Sequence, residues 1–423
     1  MNNIEAIFRG LLGIIALLSI CYIFSSNNKK IDWETVVKGL LIQILFAICI
    51  LKIKIIENLF EGISNIFLSI LNFTKEGAIF LFGETLVNNP SFGAIFAFQI
   101  LPTIVFFSAL TSLLFYLGIL QRIVYFFAII MKKTLKLSGA ESLAAAGNIF
   151  LGQTESPLLI RPYISKMTQS ELLCLMGGGM ATIAGGVFIA FTAMLGEEFA
   201  PHLLAASVMS APAAIVACKM LLPETKKVNT KMIMAKGETI GSNVFDSIAI
   251  GTIQGVKLAV NVGAMILVFV AFIALINEIL HLIGYHCGIN DFLNNTDNIY
   301  NQLSLEMIFG YLFAPIAWLI GIPFEDILLA GQLLGEKTVA NEFIAYESLG
   351  NMMQNNMLLE KTQIMATYFL CGFANFLSIG IQIGGIGAIA PDRRIDLSKL
   401  GIKALIGGTI ASLLTAVIVG ILI

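Results

Sequence analysis

Two glutamates carry the sharpest chemical signal in the chain. Glu155 sits in Gly152-Gln153-Thr154-Glu155-Ser156-Pro157 and Glu342 in Ala340-Asn341-Glu342-Phe343, and apolar residues flank each motif closely on both sides. An ionisable side chain at membrane depth costs a few kcal/mol on insertion scales, and it persists with a partner or in a wet cavity. A carboxylate held there can accept hydrogen bonds from a ligand's hydroxyls or carry a proton.

Polar steps also interrupt two apolar helices. One reads Gly177-Gly178-Gly179-Met180-Ala181-Thr182-Ile183-Ala184-Gly185-Gly186, the other Gly372-Phe373-Ala374-Asn375-Phe376-Leu377-Ser378-Ile379-Gly380. Glycines weaken a helix, and the carbonyls so freed are tolerable at depth where they line a cavity or bind a cation. Close packing between helices is the plainer use of the same glycines. Asn148, upstream of Glu155, is either an oxygen donor for a small hard cation or a hydrogen-bond bridge between neighbouring helices.

The remaining reactive groups point elsewhere. Cys21, Cys49, Cys174, Cys218, Cys287 and Cys371 stand singly, mostly inside apolar runs, with no CxxC pair. Apolar packing suits them better than a disulfide framework or a zinc site. His202, His281 and His286 fall outside apolar runs or at their ends, and there is no HExxH. Gly385-Ile386-Gly387-Ala388-Ile389-Ala390 has the glycines of a dinucleotide loop, but it follows an apolar span rather than a strand. Walker and GxSxG motifs are absent, which argues against an ATP-driven pump and an intramembrane hydrolase.

The elements that must position these residues are set by composition. Of 423 residues, 57% are hydrophobic and 12% charged, against roughly 25% charged in soluble domains. Mean hydropathy is +0.89. Apolar runs recur near the ~20 residues needed to cross a ~30 Å hydrocarbon core. Being continuous rather than alternating, they exclude a transmembrane β-barrel. With 25 basic and 27 acidic residues the net charge is −2, so there is no footprint for nucleic acid. The chain reads as an all-α polytopic membrane protein.

Eight spans are expected, at 5–24, 38–55, 94–120, 171–195, 201–222, 257–284, 362–389 and 400–423. The first is a retained helix rather than a signal peptide, because no small-residue cleavage site follows it. Basic loops follow the odd-numbered spans: Lys29 and Lys30; Arg122, Lys132, Lys133 and Lys136; Lys219, Lys226, Lys227, Lys231 and Lys236; Arg393 and Arg394. The alternate loops carry Glu57 and Glu61, Glu197 and Glu198, Asp291 and Asp297. The positive-inside rule then puts both termini outside. Residues 57–88 and 121–137 mix charge with apolar positions and read as interfacial helices, and 303–321, with Pro315, as a surface or partly inserted helix.

Residues 141–168 and 325–354 are long enough to enter the membrane but polar at their middles, so both read as re-entrant hairpins. After the first comes Thr168-Gln169, then Gly179-Met180-Ala181-Thr182; after the second comes Thr362-Gln363, then Gly372-Phe373-Ala374-Asn375. A hairpin with a central Glu, an interrupted span and a final span thus occur twice, entering from opposite sides. Inverted repeats with broken helices are the pattern of secondary transporters, whose site lies at the midplane.

Four motifs then strongly resemble the concentrative nucleoside transporters: AGNIFLGQTESPLLIRPY (146–163), ATIAGG (181–186), ANEFIAY (340–346) and CGFANFLSIGIQIGGIGAIAPDRR (371–394). The match covers residues 90–423. The resemblance implies a homotrimer in which a scaffold part holds a mobile transport part that carries substrate like an elevator. It implies base contacts from Gln153, Thr154 and Glu155, ribose contacts from Glu342, Asn375 and Ser378, and apolar contacts from Val187 and Phe373. The family's sodium site falls on Asn148, the Leu151 carbonyl, Thr182 and the Ile183 carbonyl. Gly186 and Leu377 stand where serines are common in that family, which bears on base selectivity, and Thr182 replaces a serine of some members while keeping its oxygen.

The expected organisation is scaffold in 1–137 and 223–322, with the two transport repeats in 138–222 and 323–423. The expected function is that of a bacterial inner-membrane symporter, not an enzyme, importing uridine-like pyrimidine nucleosides with sodium. Its partners are the nucleoside, the lipid bilayer and two further copies of the chain. The proton is the alternative coupling ion, with Glu155 or Glu342 as carrier; a passive channel and an intramembrane enzyme are the readings from other classes.

Overall fold

The computed structural model describes residues 3–88, 95–226, 228, 241–295 and 299–423. Among them regular structure is helical throughout. Lys227, Lys231, Lys236 and Asp297, used in the orientation argument, lie outside the described residues. By length and composition eight stretches could cross a membrane.

The N-terminal third holds α1 (Asn3–Ile23), α2 (Trp33–Lys52), α3 (Lys54–Phe82), α4 (Glu84–Asn88), α5 (Phe96–Tyr116) and α6 (Ile119–Leu135). Asp32 caps α2, accepting from the Glu34 amide at 3.1 Å, so the helix starts at Trp33 rather than at 38. Its charged first turn is satisfied by ion pairs from Glu34 to Lys38 (2.7 Å) and to Lys136 just past α6 (2.5 Å). Over the segment read as interfacial, residues 54–82 form one continuous 29-residue helix, which by length and composition also counts among the candidate spans. Along α6 the buried positions Leu120, Val124, Ala128, Met131 and Leu135 make one stripe, as an amphipathic surface helix requires.

The first hairpin follows. It climbs through α7 (Gly139–Asn148), turns over 149–155 and returns through a tight 3₁₀ turn, Ser156–Ile160, and the short α8 (Arg161–Ile164). Pro157 and Pro162 start those two pieces, where a missing N–H costs nothing, and they keep the returning limb from becoming a second full helix. The next span is broken, as expected: α9 (Gln169–Ala181) stops, residues 182–184 are extended, and α10 (Gly185–Leu195) restarts. α11 (Ala200–Leu221) completes the unit.

α12 (Val244–His286) has 43 residues, about 64 Å at 1.5 Å per residue, and begins well before the expected 257. Asn243 caps it, accepting from the Asp246 amide at 3.0 Å. After α13 (Ile289–Asn294) comes α14 (Leu305–Leu319), whose 15 residues reach only about 22 Å, too short to cross a bilayer alone. It packs along α15 (Ile327–Val339), the first limb of the second hairpin; α16 (Glu342–Gln354) is the other limb. The second broken span is α17 (Glu360–Leu370) and α18 (Phe376–Ile389), separated by residues 371–375, and α19 (Arg394–Leu422) ends the chain.

Hairpin, broken helix and long helix therefore occur twice, and the two units form the centre. The apolar windows of α9–α10 and α11 are 94% and 89% buried, whereas that of α12 is 6% buried. The two breaks abut. A Cβ placed on Gly372 would lie 2.6 Å from the Met180 and Ala181 carbonyl oxygens, and Gly372 has φ +99°, a conformation in which glycine alone is unstrained. Gly380, in α18, has open space beside it. Gly372→Ala should therefore lower folding stability by about 1–3 kcal/mol, read as an earlier thermal melt of the purified protein, while Gly380→Ala leaves the melt unchanged or slightly later.

Candidate functional site

The tip of the first hairpin is folded by its own backbone. The Leu151 amide bonds the Gly147 carbonyl at 2.8 Å, and the Glu155 and Ser156 amides both bond the Gly152 carbonyl at 3.0 Å. The Glu155 carboxylate turns back to accept from the Gly152 amide at 3.2 Å. This tip rests on one face of α18, where Ser378, Gln382 and Gly385 recur at helical spacing. Gln153 donates to Ser378 Oγ at 3.2 Å and accepts from Gln382 Nε2 at 3.0 Å. Gln382 Nε2 also reaches the Met176 carbonyl at 2.8 Å, and Thr154 lies over Gly385.

The second hairpin brings Glu342 to the same place. Asn341 caps α16, accepting from the Ile344 amide at 3.0 Å, which puts Glu342 in the first turn, where the helix dipole favours a carboxylate. Across the gap Asn375 caps α18, its Oδ1 accepting from the Ser378 amide at 2.9 Å. Its Nδ2 donates to Glu342 Oε2 at 2.5 Å. Both ends of the Asn375 amide are thus fixed.

Between the hairpin tips and the breaks lies a cavity of about 620 Å³, within the range of small-molecule sites. Gln153, Thr154, Glu155, Val187, Glu342, Phe373, Asn375 and Ser378 all line it. Carboxylates, amides and hydroxyls stand beside aliphatic and aromatic surface, a set that can pair a polar ligand's hydroxyls while covering a flat ring.

Asn148, Leu151, Thr182 and Ile183 are all buried. Asn148, the last residue of α7, lies against α9 at Gly178, and Thr182 stands one turn further along. The Asn148 amide donates weakly to the Leu175 carbonyl at 3.4 Å, while its Oδ1 is buried without a hydrogen-bond partner. Thr182 Oγ1 donates to the Gly178 carbonyl at 2.9 Å, which leaves its lone pairs open. A stranded amide oxygen, a hydroxyl and carbonyls suit a hard monovalent cation. Among the described residues no group of three or more His, Cys, Asp or Glu could hold a metal ion.

Comparison with known proteins decides the class. Family models described as "Na+ dependent nucleoside transporter C-terminus" and "N-terminus" match residues 202–420 and 12–85, and one described as "Nucleoside recognition" matches 97–198. The chain belongs to the sodium-dependent nucleoside transporters. It is 41% identical over 422 residues to an uncharacterized transporter of Haemophilus influenzae, covering 99% of this chain and 98% of that one. It is 37% identical to solute carrier family 28 member 3 of Mus musculus, covering 97% of this chain and 58% of that longer one. Its fold matches an inward-facing, substrate-bound structure of CNTnw with a TM-score of 0.91, at 36% identity and 98% and 97% coverage of the two chains.

This family transports rather than catalyses, and its coupling ion is sodium. For a nucleoside transporter the cavity holds residues that the sequence motifs did not flag. Gln254, Lys257 and Asn261 of α12 and Ser108 of α5 form a further wall; their signal was a polar stripe on an apolar helix. Asn341, Phe343 and Leu377 also line the cavity, whereas Gly186 packs on Phe107.

The Glu342–Asn375 bond gives a test that needs no ligand. Glu342→Gln keeps an oxygen for the Asn375 amide and should melt close to the parent. Glu342→Ala strands that buried donor and should cost about 1–3 kcal/mol, so the ligand-free melts should rank parent, Gln, Ala.

Proposed function

We propose that this protein is a bacterial inner-membrane symporter that carries a uridine-like pyrimidine nucleoside inward with sodium by an elevator motion. One observation supports the reading above all: two hairpin tips and two helix breaks, distant in sequence, converge on one cavity lined by Gln153, Glu155, Glu342, Asn375 and Ser378. Gln153, Thr154 and Glu155 contact the base, Glu342, Asn375 and Ser378 the ribose, and Val187 and Phe373 cover the apolar faces. Carboxylate and amide oxygens accept ribose hydroxyls, and a site with these groups dry and paired rejects a sugar that lacks them.

Sodium binds at Asn148, Thr182 and the Leu151 and Ile183 carbonyls. The partnerless Asn148 Oδ1 favours this reading over a plain interhelical bridge. Because Asn148 ends α7 and Gln153 lies in the tip just beyond, an ion there orders the tip and completes the nucleoside site, a coupling that is reciprocal.

The two repeats, 138–222 and 323–423, enter from opposite sides and make up the moving part, with both termini outside. The segments 1–137 and 223–322 supply the scaffold, and α5 and α12 are the wall facing the cavity. Within 1–137, α2 is the exception and goes with the moving part, since Gln43 donates to Thr415 Oγ1 of α19 at 2.8 Å in a buried bond. Three copies assemble as a homotrimer in the lipid bilayer.

Labelled uridine uptake into proteoliposomes tests this, with an inward sodium gradient against an equal choline control at fixed pH. Accumulation is expected with sodium alone, and Asn148→Leu should abolish the sodium dependence. Uptake that ignores sodium and follows a pH gradient would instead make protons the coupling ion and the two carboxylates its carriers. Removing the ribose hydroxyls should weaken competition by about 1–3 kcal/mol per unpaired group; equal competition by the dideoxy sugar would overturn the ribose assignment.

A further inference from the structure

One charged group sits deeper than the transport cycle requires. Lys337, on the first limb of the second hairpin, is 2% exposed. Its Nζ donates to the Phe369 carbonyl at 2.8 Å, the Cys371 carbonyl at 3.2 Å and Ser412 Oγ at 3.1 Å. An ammonium has three donors and no acceptor, so these bonds use all of it. All three acceptors are uncharged. Ser412 turns its own proton to the helix, donating to the Thr409 carbonyl at 3.0 Å.

The place matters as much as the bonds. Phe369 and Cys371 are where α17 ends and the second break begins, so their carbonyls have lost the amides four residues on. A cation at a helix C-terminus also meets the favourable end of its dipole. Aligning Gly179–Thr182 with Gly372–Asn375 puts Phe369 and Cys371 opposite Met176 and Gly178 of the first unit. Gly178 is the residue against which Asn148 lies. In each unit, then, the hairpin's first limb sends one side chain to the end of the broken helix. The first sends a neutral amide with a stranded oxygen, the second an ammonium that fills its own site.

We propose that the Lys337 ammonium is a built-in cation of the second break, doing permanently there what the transported sodium ion does at the first. It holds the freed carbonyls of α17 and so positions Phe373 and Asn375, a few residues on, for the nucleoside. Lys337 is a positioning residue: it does not line the cavity. A buried lysine kept only for packing would be replaced with gain by an apolar side chain of like volume; one kept for its charge would not. The comparison between breaks rests on the sodium site proposed above, which Asn148→Leu tests separately.

The experiment measures uridine and adenosine binding at saturating sodium, with full-length protein in lipid nanodiscs, for the parent, Lys337→Ala and Lys337→Met. Both variants should lose about tenfold or more in affinity, within the usual range of coupling between sites. Methylammonium, at constant ionic strength, should restore most of the loss in the alanine variant, which leaves it room, and choline should not. Failure of methylammonium to restore binding in a folded alanine variant overturns the proposal. Where Lys337→Ala does not survive purification, Lys337→Met decides: lost nucleoside affinity with an intact sodium-induced thermal shift supports the charge, and binding within about twofold of the parent overturns it. If Asn148→Leu keeps full sodium dependence, the likeness between the breaks falls, while methylammonium rescue still reports on Lys337.

Discussion

Everything at the centre of this protein depends on two broken helices crossing at their breaks. An interrupted helix in hydrocarbon exposes carbonyls and amides that have no water to bond, so each must find a partner inside the protein. Here they do. Tyr346 donates its hydroxyl to the Thr367 carbonyl at 2.8 Å, Lys337 takes the Phe369 and Cys371 carbonyls, and Asn375 caps the restart of α18. On the other side Gln382 takes the Met176 carbonyl and Thr182 that of Gly178. Several of these groups, or their neighbours, also line the cavity. The polar site and the cure for the broken backbone are one arrangement, which explains how so many hydrogen-bonding groups can be kept at depth.

The hairpins are held at their bases and shaped at their tips. Glu141, in a capping box with Ser138 at the start of α7, is buried against Lys219 of α11 at 2.7 Å. Lys219 also donates to Ser170 at the start of α9. Arg393 donates to the carbonyls of Ile164, Ser165 and Met167, where the first hairpin ends. A charge pair this buried is weak evidence for net stability but costly to break, so the base resists shear. The tip, by contrast, meets α18 through neutral side-chain bonds of Gln153, which can be exchanged for bonds to a ligand at smaller cost.

The parts of this architecture that could be read from sequence are those with local signals. A glutamate inside an apolar run, a glycine cluster and a G-x-A-polar step announce themselves, and so both hairpins, both breaks and the cavity residues they carry were legible, whereas Ser108, Gln254, Lys257 and Asn261 of the opposite wall were not. The extent of α12 was not, because Gln254 and Lys257 look like the end of a span when the cavity they face is unseen. Nor was α3, whose Glu57, Glu61, Lys75 and Glu76 dilute a helix that nonetheless runs unbroken. Lys337 gave no signal either. A lysine near a turn normally reaches water, and only the fold shows that this one ends on carbonyls 32 and 34 residues away.

The wall opposite the hairpins is built on a different principle. Gly251 and Gly255, four apart on α12, let its backbone close on α5: a Cβ on either would lie 2.7–2.8 Å from Cα atoms of Val105 or Ala109. Small residues at that spacing are how helices approach in lipid. Ser112 and Ser247 then exchange hydroxyl-to-carbonyl bonds at 2.8 and 2.9 Å. The two helices are thereby locked to each other. Toward the cavity, Leu258, Val262 and Met265 are smooth, with Gln254, Lys257 and Asn261 the polar exceptions. The surface is thus rigid behind, and the face it turns to the cavity is divided between those apolar side chains and the polar Ser108, Gln254, Lys257 and Asn261. The wall is therefore fixed by close backbone packing within the α5–α12 pair, whereas the first hairpin's tip, across the cavity, is fixed by side-chain hydrogen bonds to α18.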